Sequence, residues 1–176
     1  MNIRDAADTD LPAIHAIYAH HVANGLGTFE ESPPALDELR GRRAAIVEKG
    51  LPWLVATDSG GAILGYAYAG PFRPRSAYRF AVEDSIYVAP DAARKGVGKK
   101  LLAALIARCQ AWGARQMLAV IGDSGNAGSI GVHKSLGFEH GGIMHAVGFK
   151  HGRWVDVVIM QRALGDGRDT LPPEGR

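Results

Sequence analysis

Residues 85–109 carry the sequence pattern that most limits how this chain can fold. An alternating apolar segment containing Ile86 and Val88 ends at Pro90 and is followed by a basic loop, Arg94-Lys95-Gly96-Val97-Gly98-Lys99-Lys100. Beyond it, apolar residues recur at steps of three and four residues: Val97, Leu101, Leu102, Leu105, Ile106 and Cys109. This pattern predicts a strand, a glycine-containing loop and an amphipathic helix in direct succession.

The loop predicts a binding site for a pyrophosphate group. The N–H groups of the first helical turn have no partners within the helix, and the helix dipole makes that end positive. Arg94, Lys95 and Lys99 add full positive charges, while Gly96 and Gly98 allow a ligand to approach the main chain. A basic helix start without any ligand would show the same residues, so the loop alone leaves both interpretations open.

Two common phosphate-binding loops are excluded by single positions. A P-loop needs a Gly five residues before Gly98 and a Ser or Thr after the Lys, where this chain has Ala93 and Lys100. The dinucleotide-binding fingerprint needs a third Gly three residues after Gly98, where Leu101 stands. The sequence therefore does not predict either nucleotide-binding fold.

Over most of its length the chain resembles the GCN5-related N-acetyltransferase (GNAT) superfamily. The resemblance rests on Arg-x-Gly-x-Gly after a strand, followed by Asn126, Ser129, His133 and the segment 136–138. It runs from Ile3 to about Arg162. The chain is most similar to the phosphinothricin and methionine sulfoximine acetyltransferase branch, in the stretches Pro52-Trp53-Leu54-Val55-Ala56, Tyr66-Ala67-Tyr68-Ala69-Gly70-Pro71, Ala119-Val120-Ile121-Gly122 and Gly148-Phe149-Lys150-His151-Gly152-Arg153-Trp154.

This resemblance implies acetyl-CoA as co-substrate. It places the pyrophosphate on the loop and the pantetheine arm on the preceding strand, with a backbone N–H, that of Val88, as the candidate oxyanion donor. Ala93 departs from the Gln or Arg with which the family's loop usually opens, and Arg94 or Lys95 would replace that contact. The implied cofactor-binding residues are Ile86, Tyr87, Val88, Arg94, Lys95, Gly96, Val97, Gly98, Lys99, Asn126 and Ser129.

Two residues are the predicted catalytic groups. Acetyl transfer to an amine requires a base for the amine proton, a donor for the carbonyl oxygen and a proton for the leaving thiolate. Glu83 resembles the family's general base, and His133 occupies a helix position that the family places close to the thiol. Whether His133 would act as acid or base stays open, and Asp84 is expected to be structural.

For the acceptor, the resemblance implies the α-amine of a small amino acid such as phosphinothricin, methionine sulfoximine or methionine sulfone. Aromatic and cationic side chains would bind it, and Phe29, Arg73, Tyr78 and Lys150 are preferred over Arg75, Arg79, Phe149 and Trp154. Two alternatives stay open. One is an acetyltransferase for a peptide N-terminus or a polyamine, for which Glu30-Glu31 is a weak indication; the other is a non-catalytic acyl-CoA sensor.

The order of predicted elements is that of a mixed α/β protein with about seven strands and four helices. At 176 residues, 47% of them hydrophobic, the chain predicts a single domain, residues 1–163, with a flexible tail at 164–176. The last two strands are predicted at 138–147 and 155–162, linked by 148–154.

Several classes of protein are not expected. The net charge of +2 gives no general affinity for nucleic acid or membranes. The chain has no long apolar segment and no signal peptide, which predicts a cytoplasmic protein. His20 and His21 are adjacent and the chain lacks a His-x-x-x-His pair, so no metal site is expected. The single cysteine, Cys109, is expected in the core, and a homodimer is implied by the family alone.

Overall fold

The chain is built on one mixed sheet, seen in a computed structural model that describes residues 1–172. The strands are β1 (Asn2–Asp5), β2 (Trp53–Thr57), β3 (Ile63–Pro71), β4 (Ala81–Val88), β5 (Gln116–Gly122), β6 (Glu139–Lys150) and β7 (Arg153–Ala163), and the helices are α1 (Leu11–Asn24), α2 (Leu36–Glu48), α3 (Val97–Trp112) and α4 (Ala127–Ser135). Their order in the sheet is β1-β2-β3-β4-β5-β7-β6. Only β4 and β5 run parallel among these neighbouring strands. The predicted mixed α/β class is confirmed.

The two long helices α1 and α3 cover opposite faces of the sheet. Successive residues of a strand point to opposite faces. A Cβ built on Gly65 would lie 3.3 Å from Leu101 of α3. The next residue, Tyr66, stacks on Tyr87, whose ring also contacts Tyr18 of α1 at a centroid distance of 5.0 Å. The core therefore lies in two layers, one on each side of the central strands.

Helix α3 begins and ends as the sequence predicts. Gly96 has φ +78° at its start and Gly113 has φ +100° at its end, a left-handed conformation that glycine adopts without steric cost. All six apolar residues predicted for the inner face, including Cys109, are buried. Burial raises the pKa of the Cys109 thiol to about 12, so this thiol stays protonated.

The parallel strands β4 and β5 pair only over their first halves. Their register runs from Ala81 opposite Gln116 to Asp84 opposite Ala119, and there the pairing stops. Both strands continue beyond that point, β4 to Val88 and β5 to Gly122. The gap between their second halves is the main opening in the sheet.

The last hairpin is tighter than predicted. Strand β6 extends to Lys150 and β7 starts at Arg153, so the connection is His151-Gly152 and the predicted linker 148–154 is wrong. Both turn residues have positive φ, 51° and 73°, as a two-residue hairpin turn of type I′ requires. Strand β6 lies at the edge of the sheet, so apolar and polar residues do not alternate clearly along it. The sequence pattern therefore did not show that the strand continues to Lys150.

The segment predicted as a flexible tail packs on the domain where the structure describes it. Leu164 is buried, and its N–H donates to the carbonyl of Arg115. The Arg115 guanidinium donates to Thr170 Oγ1 at 3.0 Å and to the Leu171 carbonyl at 3.2 Å. Residues 173–176 lie outside the described part of the chain. Across residues 1–172, every helix is too short or too polar to cross a membrane.

We expect Gly122→Ala to destabilise the fold, because the added methyl group would collide with the Leu26 carbonyl oxygen, a main-chain atom. Overpacking of this kind costs about 1–3 kcal/mol. Gly131→Ala is the matched control: it places the same methyl group in open space on α4 and should stabilise by about 0.5–1 kcal/mol. Urea unfolding of both variants measures the difference. Equal stabilities would show that the loop around Leu26 is not seated on β5.

Candidate active site

The gap between β4 and β5 opens into a groove of about 840 Å³. Its walls are Ser85 to Val88 of β4 and Ala119 to Gly122 of β5, with parts of α1, α3, α4 and the loop after α1. Ala89 N–H donates to Leu64 O across β3, so alternate residues of β4, including Tyr87, direct their main-chain groups to β3. Those of Ile86 and the N–H of Val88 face the groove, whereas the Val88 carbonyl already accepts a hydrogen bond from His21. An extended ligand with amides could pair there as an added strand.

The N-terminus of α3 forms one end of the groove. Ala92, Ala93, Arg94 and Gly96 to Lys99 line it. Arg94 has φ +62°, an uncommon conformation for a residue with a side chain. The first N–H groups of α3 and its positive dipole end meet the groove here, which is the arrangement that favours a phosphate.

Glu83 lies at the point where β4 and β5 separate. It is half-buried, lines the groove and points to the α1 side of the sheet, like Tyr87. Burial raises the pKa of its carboxyl group; Asp84 raises it further, and the charge of Arg73 opposes both. A carboxyl group with a raised pKa is suited to accept a proton near neutral pH.

Asp84 and His133 form a buried pair on the other side of β4. His133 is 3% exposed and Asp84 7% exposed, and both line the groove. His133 Nε2 lies 3.0 Å from Asp84 Oδ2, and its Nδ1 lies 2.7 Å from the Ser129 carbonyl oxygen. Burial lowers the pKa of His133, but the hydrogen bond and charge of Asp84 and the Ser129 carbonyl outweigh it, so the pKa is raised. The sequence-based expectation that Asp84 is structural missed this pairing.

Asn126 and Ser129 are already engaged within the protein. Asn126 Oδ1 accepts the Ser129 N–H at 3.1 Å and so caps the N-terminus of α4. Asn126 Nδ2 donates to the Gly122 carbonyl at 3.4 Å. These contacts fix the start of α4 against the end of β5. Both residues still line the groove.

The loop after α1 is clamped from several directions. Lys150 of β6 is 3% exposed, and its Nζ donates to the Thr28 carbonyl at 2.8 Å. Burial lowers the pKa of Lys150, opposed by the charges of Glu31 and Glu30. The ring of Phe29 lies against Gly148, where a Cβ would collide with it. The loop therefore forms a fixed wall of the groove.

The structure brings most of the predicted site residues together. Those that line the groove are Phe29, Glu83, Ile86, Tyr87, Val88, Arg94, Gly96, Val97, Gly98, Lys99, Asn126, Ser129 and His133. Lys95, Arg73, Tyr78 and Lys150 do not line it. Arg73 lies over the Phe72 ring, at 4.9 Å from its centroid, and Tyr78 packs edge-on against the same ring.

Two groove residues from α1 were not predicted. Tyr18 donates to or accepts from Thr28 Oγ1 at 3.1 Å, and His21 Nε2 donates to the Val88 carbonyl at 2.8 Å. Burial lowers the pKa of His21, which favours its neutral form. The inward face of α1 was predicted, but helical periodicity does not distinguish a core position from a groove wall. Within residues 1–172, no group of three His, Cys, Asp or Glu side chains could hold a metal ion.

The groove between two parting parallel strands, closed by a basic helix start, is suited to an extended ligand that carries a phosphate. The chain belongs to the acetyltransferase (GNAT) family, whose model matches residues 14–138. It is 55% identical to the phosphinothricin N-acetyltransferase of Alcaligenes faecalis, over 97% of this chain and 86% of that protein. It is 46% identical to the L-methionine sulfoximine/L-methionine sulfone acetyltransferase of Pseudomonas aeruginosa, over 95% and 96%.

A solved structure supports the same assignment. The crystal structure of a GNAT superfamily phosphinothricin acetyltransferase from Sinorhizobium meliloti in complex with AcCoA matches with a TM-score of 0.96 and 52% identity, over 99% of this chain and 94% of that one. These comparisons confirm the predicted family, its phosphinothricin and methionine sulfoximine branch, and an N-acetyltransferase activity.

We expect Lys150→Met to lower the free energy of unfolding by about 1–3 kcal/mol, because the Thr28 carbonyl loses its buried donor. Lys134→Met, which removes an exposed lysine of α4, should stay within about 0.5 kcal/mol. Urea unfolding of both variants makes the comparison. If Lys150→Met keeps full stability and only weakens acceptor binding, Lys150 contacts the acceptor, as the sequence predicts.

Proposed function

We propose that this protein transfers the acetyl group of acetyl-CoA to the α-amine of a small amino acid bearing a tetrahedral phosphinyl, sulfoximine or sulfone group. The single observation that carries the proposal is the groove between β4 and β5. It joins a helix N-terminus suited to a pyrophosphate to a half-buried carboxyl group, Glu83, with a raised pKa. The relatives' names supply the acceptor class.

The residues present fit acetyl-CoA as co-substrate. The N–H groups at the start of α3, with Arg94 and Lys99, would hold its pyrophosphate, and Lys95 would act only at longer range. Ile86 would pair with an amide of the pantetheine arm, as Tyr87 pairs with β3. The Val88 carbonyl is held by His21, which leaves the Val88 N–H for the thioester oxygen. Asn126 and Ser129 would shape the wall that the arm follows. The thioester would then lie between Val88 and Glu83, in the part of the groove where the strands separate.

The reaction would use Glu83 as the general base. Its carboxylate takes a proton from the ammonium form of the acceptor, directly or through water, and the freed amine attacks the thioester carbon. The Val88 N–H donates to the carbonyl oxygen as charge develops on it. The carbon–sulfur bond breaks, and the sulfur of CoA leaves as the thiol after taking up the second proton that the attacking nitrogen loses. His133 lines the groove from the other side of β4, with both ring nitrogens bonded inside the protein.

The two alternatives are less well supported. A polyamine needs an acidic pocket, and Glu30 and Glu31 were the weak sign of one. Glu30 pairs with Arg42 at 2.5 Å, so its charge is neutralised within the protein. The loop held by Lys150 forms a fixed wall on one side of the groove, which favours a small acceptor over a peptide. A sensor would not need the raised pKa of Glu83. Phe29 is the predicted acceptor residue that lines the groove, and Arg73 and Tyr78 would act from its rim.

The acceptor proposal is tested by thiol release from acetyl-CoA with phosphinothricin, methionine sulfoximine, spermidine and a short peptide as acceptors. We expect turnover with the first two, rising with pH through the raised pKa of Glu83. Glu83→Gln should lower kcat about a hundredfold or more. The control Glu139→Gln changes an exposed carboxyl of β6 and should match wild type. Turnover only with spermidine or peptide would overturn the acceptor class, and none with any acceptor would favour a sensor.

Gly98→Val tests the pyrophosphate site. A Cβ at Gly98 would lie 3.6 Å from Val88 Cγ2, an ordinary contact, and Gly98 lines the groove that the larger side chain would narrow. We expect acetyl-CoA binding, measured by calorimetry, to weaken roughly tenfold or more, which is about 1.4 kcal/mol. Ala107→Val adds the same side chain on the exposed face of α3 and should bind normally. Unchanged binding by Gly98→Val would refute the site.

A homodimer and a cytoplasmic location are further parts of the proposal. On the β6–β7 hairpin, Val147 is 55% exposed, Phe149 57% and Trp154 68%, an apolar surface of the kind that proteins bury on association. The family resemblance implies that a second copy of the chain covers this surface. The molecular mass of the protein in solution tests this. The cytoplasmic location is consistent with the buried, unpaired Cys109.

A further inference from the structure

The buried Asp84–His133 pair leaves neither ring nitrogen of His133 free for the groove. Nδ1 faces the Ser129 carbonyl oxygen, which can only accept a hydrogen bond, and Nε2 faces Asp84 Oδ2. With Asp84 as a carboxylate, both nitrogens must carry hydrogen for both bonds to form. His133 is then a charged imidazolium, held from both sides.

The pair lies directly beside the proposed base. Asp84 follows Glu83 in β4 and is the last residue of that strand paired to β5. The two carboxyl groups point to opposite faces of the sheet, yet both line the groove because the strands separate there. A negative charge at Asp84 makes the ionisation of Glu83 harder.

We propose that Asp84 is a positioning residue of the transfer reaction, which holds His133 as a fixed counter-ion beside Glu83 and so keeps it from serving as a free acid or base. This proposal rests on the proposed function, in which Glu83 is the general base. It assigns His133 an electrostatic role on the groove wall.

The need for a counter-ion follows from the burial of Asp84. Its Oδ1 atom is buried and has no hydrogen-bond partner within residues 1–172, so His133 provides its compensation. A buried carboxylate that lost this partner would carry an uncompensated charge next to Glu83.

Few other ionisable groups act on this region. Arg73, on the loop after β3, lowers the pKa of Glu83, and the Tyr68 hydroxyl on β3 interacts with the Glu83 charge. Cys109, on α3, interacts with Asp84 but stays protonated. The Phe138 ring packs edge-on against His133 at a centroid distance of 4.9 Å and carries no charge.

The pH profile of kcat/KM distinguishes this role from simple packing. His133→Gln keeps an amide that can donate to Asp84 but removes the positive charge, so the acidic limb should move to higher pH. Asp84→Asn removes the negative charge, so the limb should move to lower pH. Each shift should be roughly half a pH unit or more. The proposal would be overturned if both variants lost stability while the acidic limbs of their pH profiles coincided with that of wild type.

A second measurement does not depend on turnover. In the full-length protein with ¹⁵N-labelled histidines, the His133 resonances are those absent from His133→Gln. We expect an imidazolium at neutral pH that loses its proton only above the ordinary histidine pKa, and a lower pKa in Asp84→Asn. A neutral His133 at pH 7 in wild type would overturn the proposal, even if neither variant folds. A wild-type protein without transfer activity would overturn the proposed function instead, whatever this titration shows.

Discussion

The short pairing of β4 and β5 is the constraint on which the site depends. Parallel strands normally satisfy each other's main-chain groups along their whole length. Here the pairing stops at Asp84 and Ala119, and the groups of Ile86 and Val88 are left facing a groove. Buried main-chain groups need hydrogen-bond partners. His21 already supplies a donor for the Val88 carbonyl, and a ligand with amides is suited to the groups that are left.

The point of separation also organises the charges. Glu83 and Asp84 are successive residues, so the alternation of a strand places one on the α1 face and the other on the α4 face. Burial and the neighbouring carboxylate raise the pKa of Glu83, while His133 compensates Asp84. One strand thereby supplies a half-buried carboxyl group and, on its other face, a buried carboxylate that is hydrogen-bonded to a histidine. In this arrangement the function of His133 cannot be separated from that of Asp84.

Most of the fold was predictable because its signals are local. The apolar spacing of α3, the glycines at its two ends and the basic loop before it all act within a few residues, and the structure places them as expected. The last hairpin was predicted with too long a connection. Its turn, His151-Gly152, requires a positive φ angle at both residues, and a histidine does not predict one. Strand β6 is an edge strand in which apolar and polar residues do not alternate clearly.

By itself the sequence determined the strand–loop–helix unit, the family and most residues of the groove. Each of these follows from the spacing of residues along the chain or from a short motif that can be read in the sequence. Only the tertiary structure decided which polar groups are free. Lys150 was predicted to bind the acceptor, but it lies 122 residues from Thr28 in sequence and donates to its carbonyl. Asp84 and His133 are 49 residues apart and form one buried hydrogen-bonded pair. Hydrogen-bond partners brought together by the fold decide such roles, since a side chain's chemistry depends on what it contacts and on how far it is removed from water.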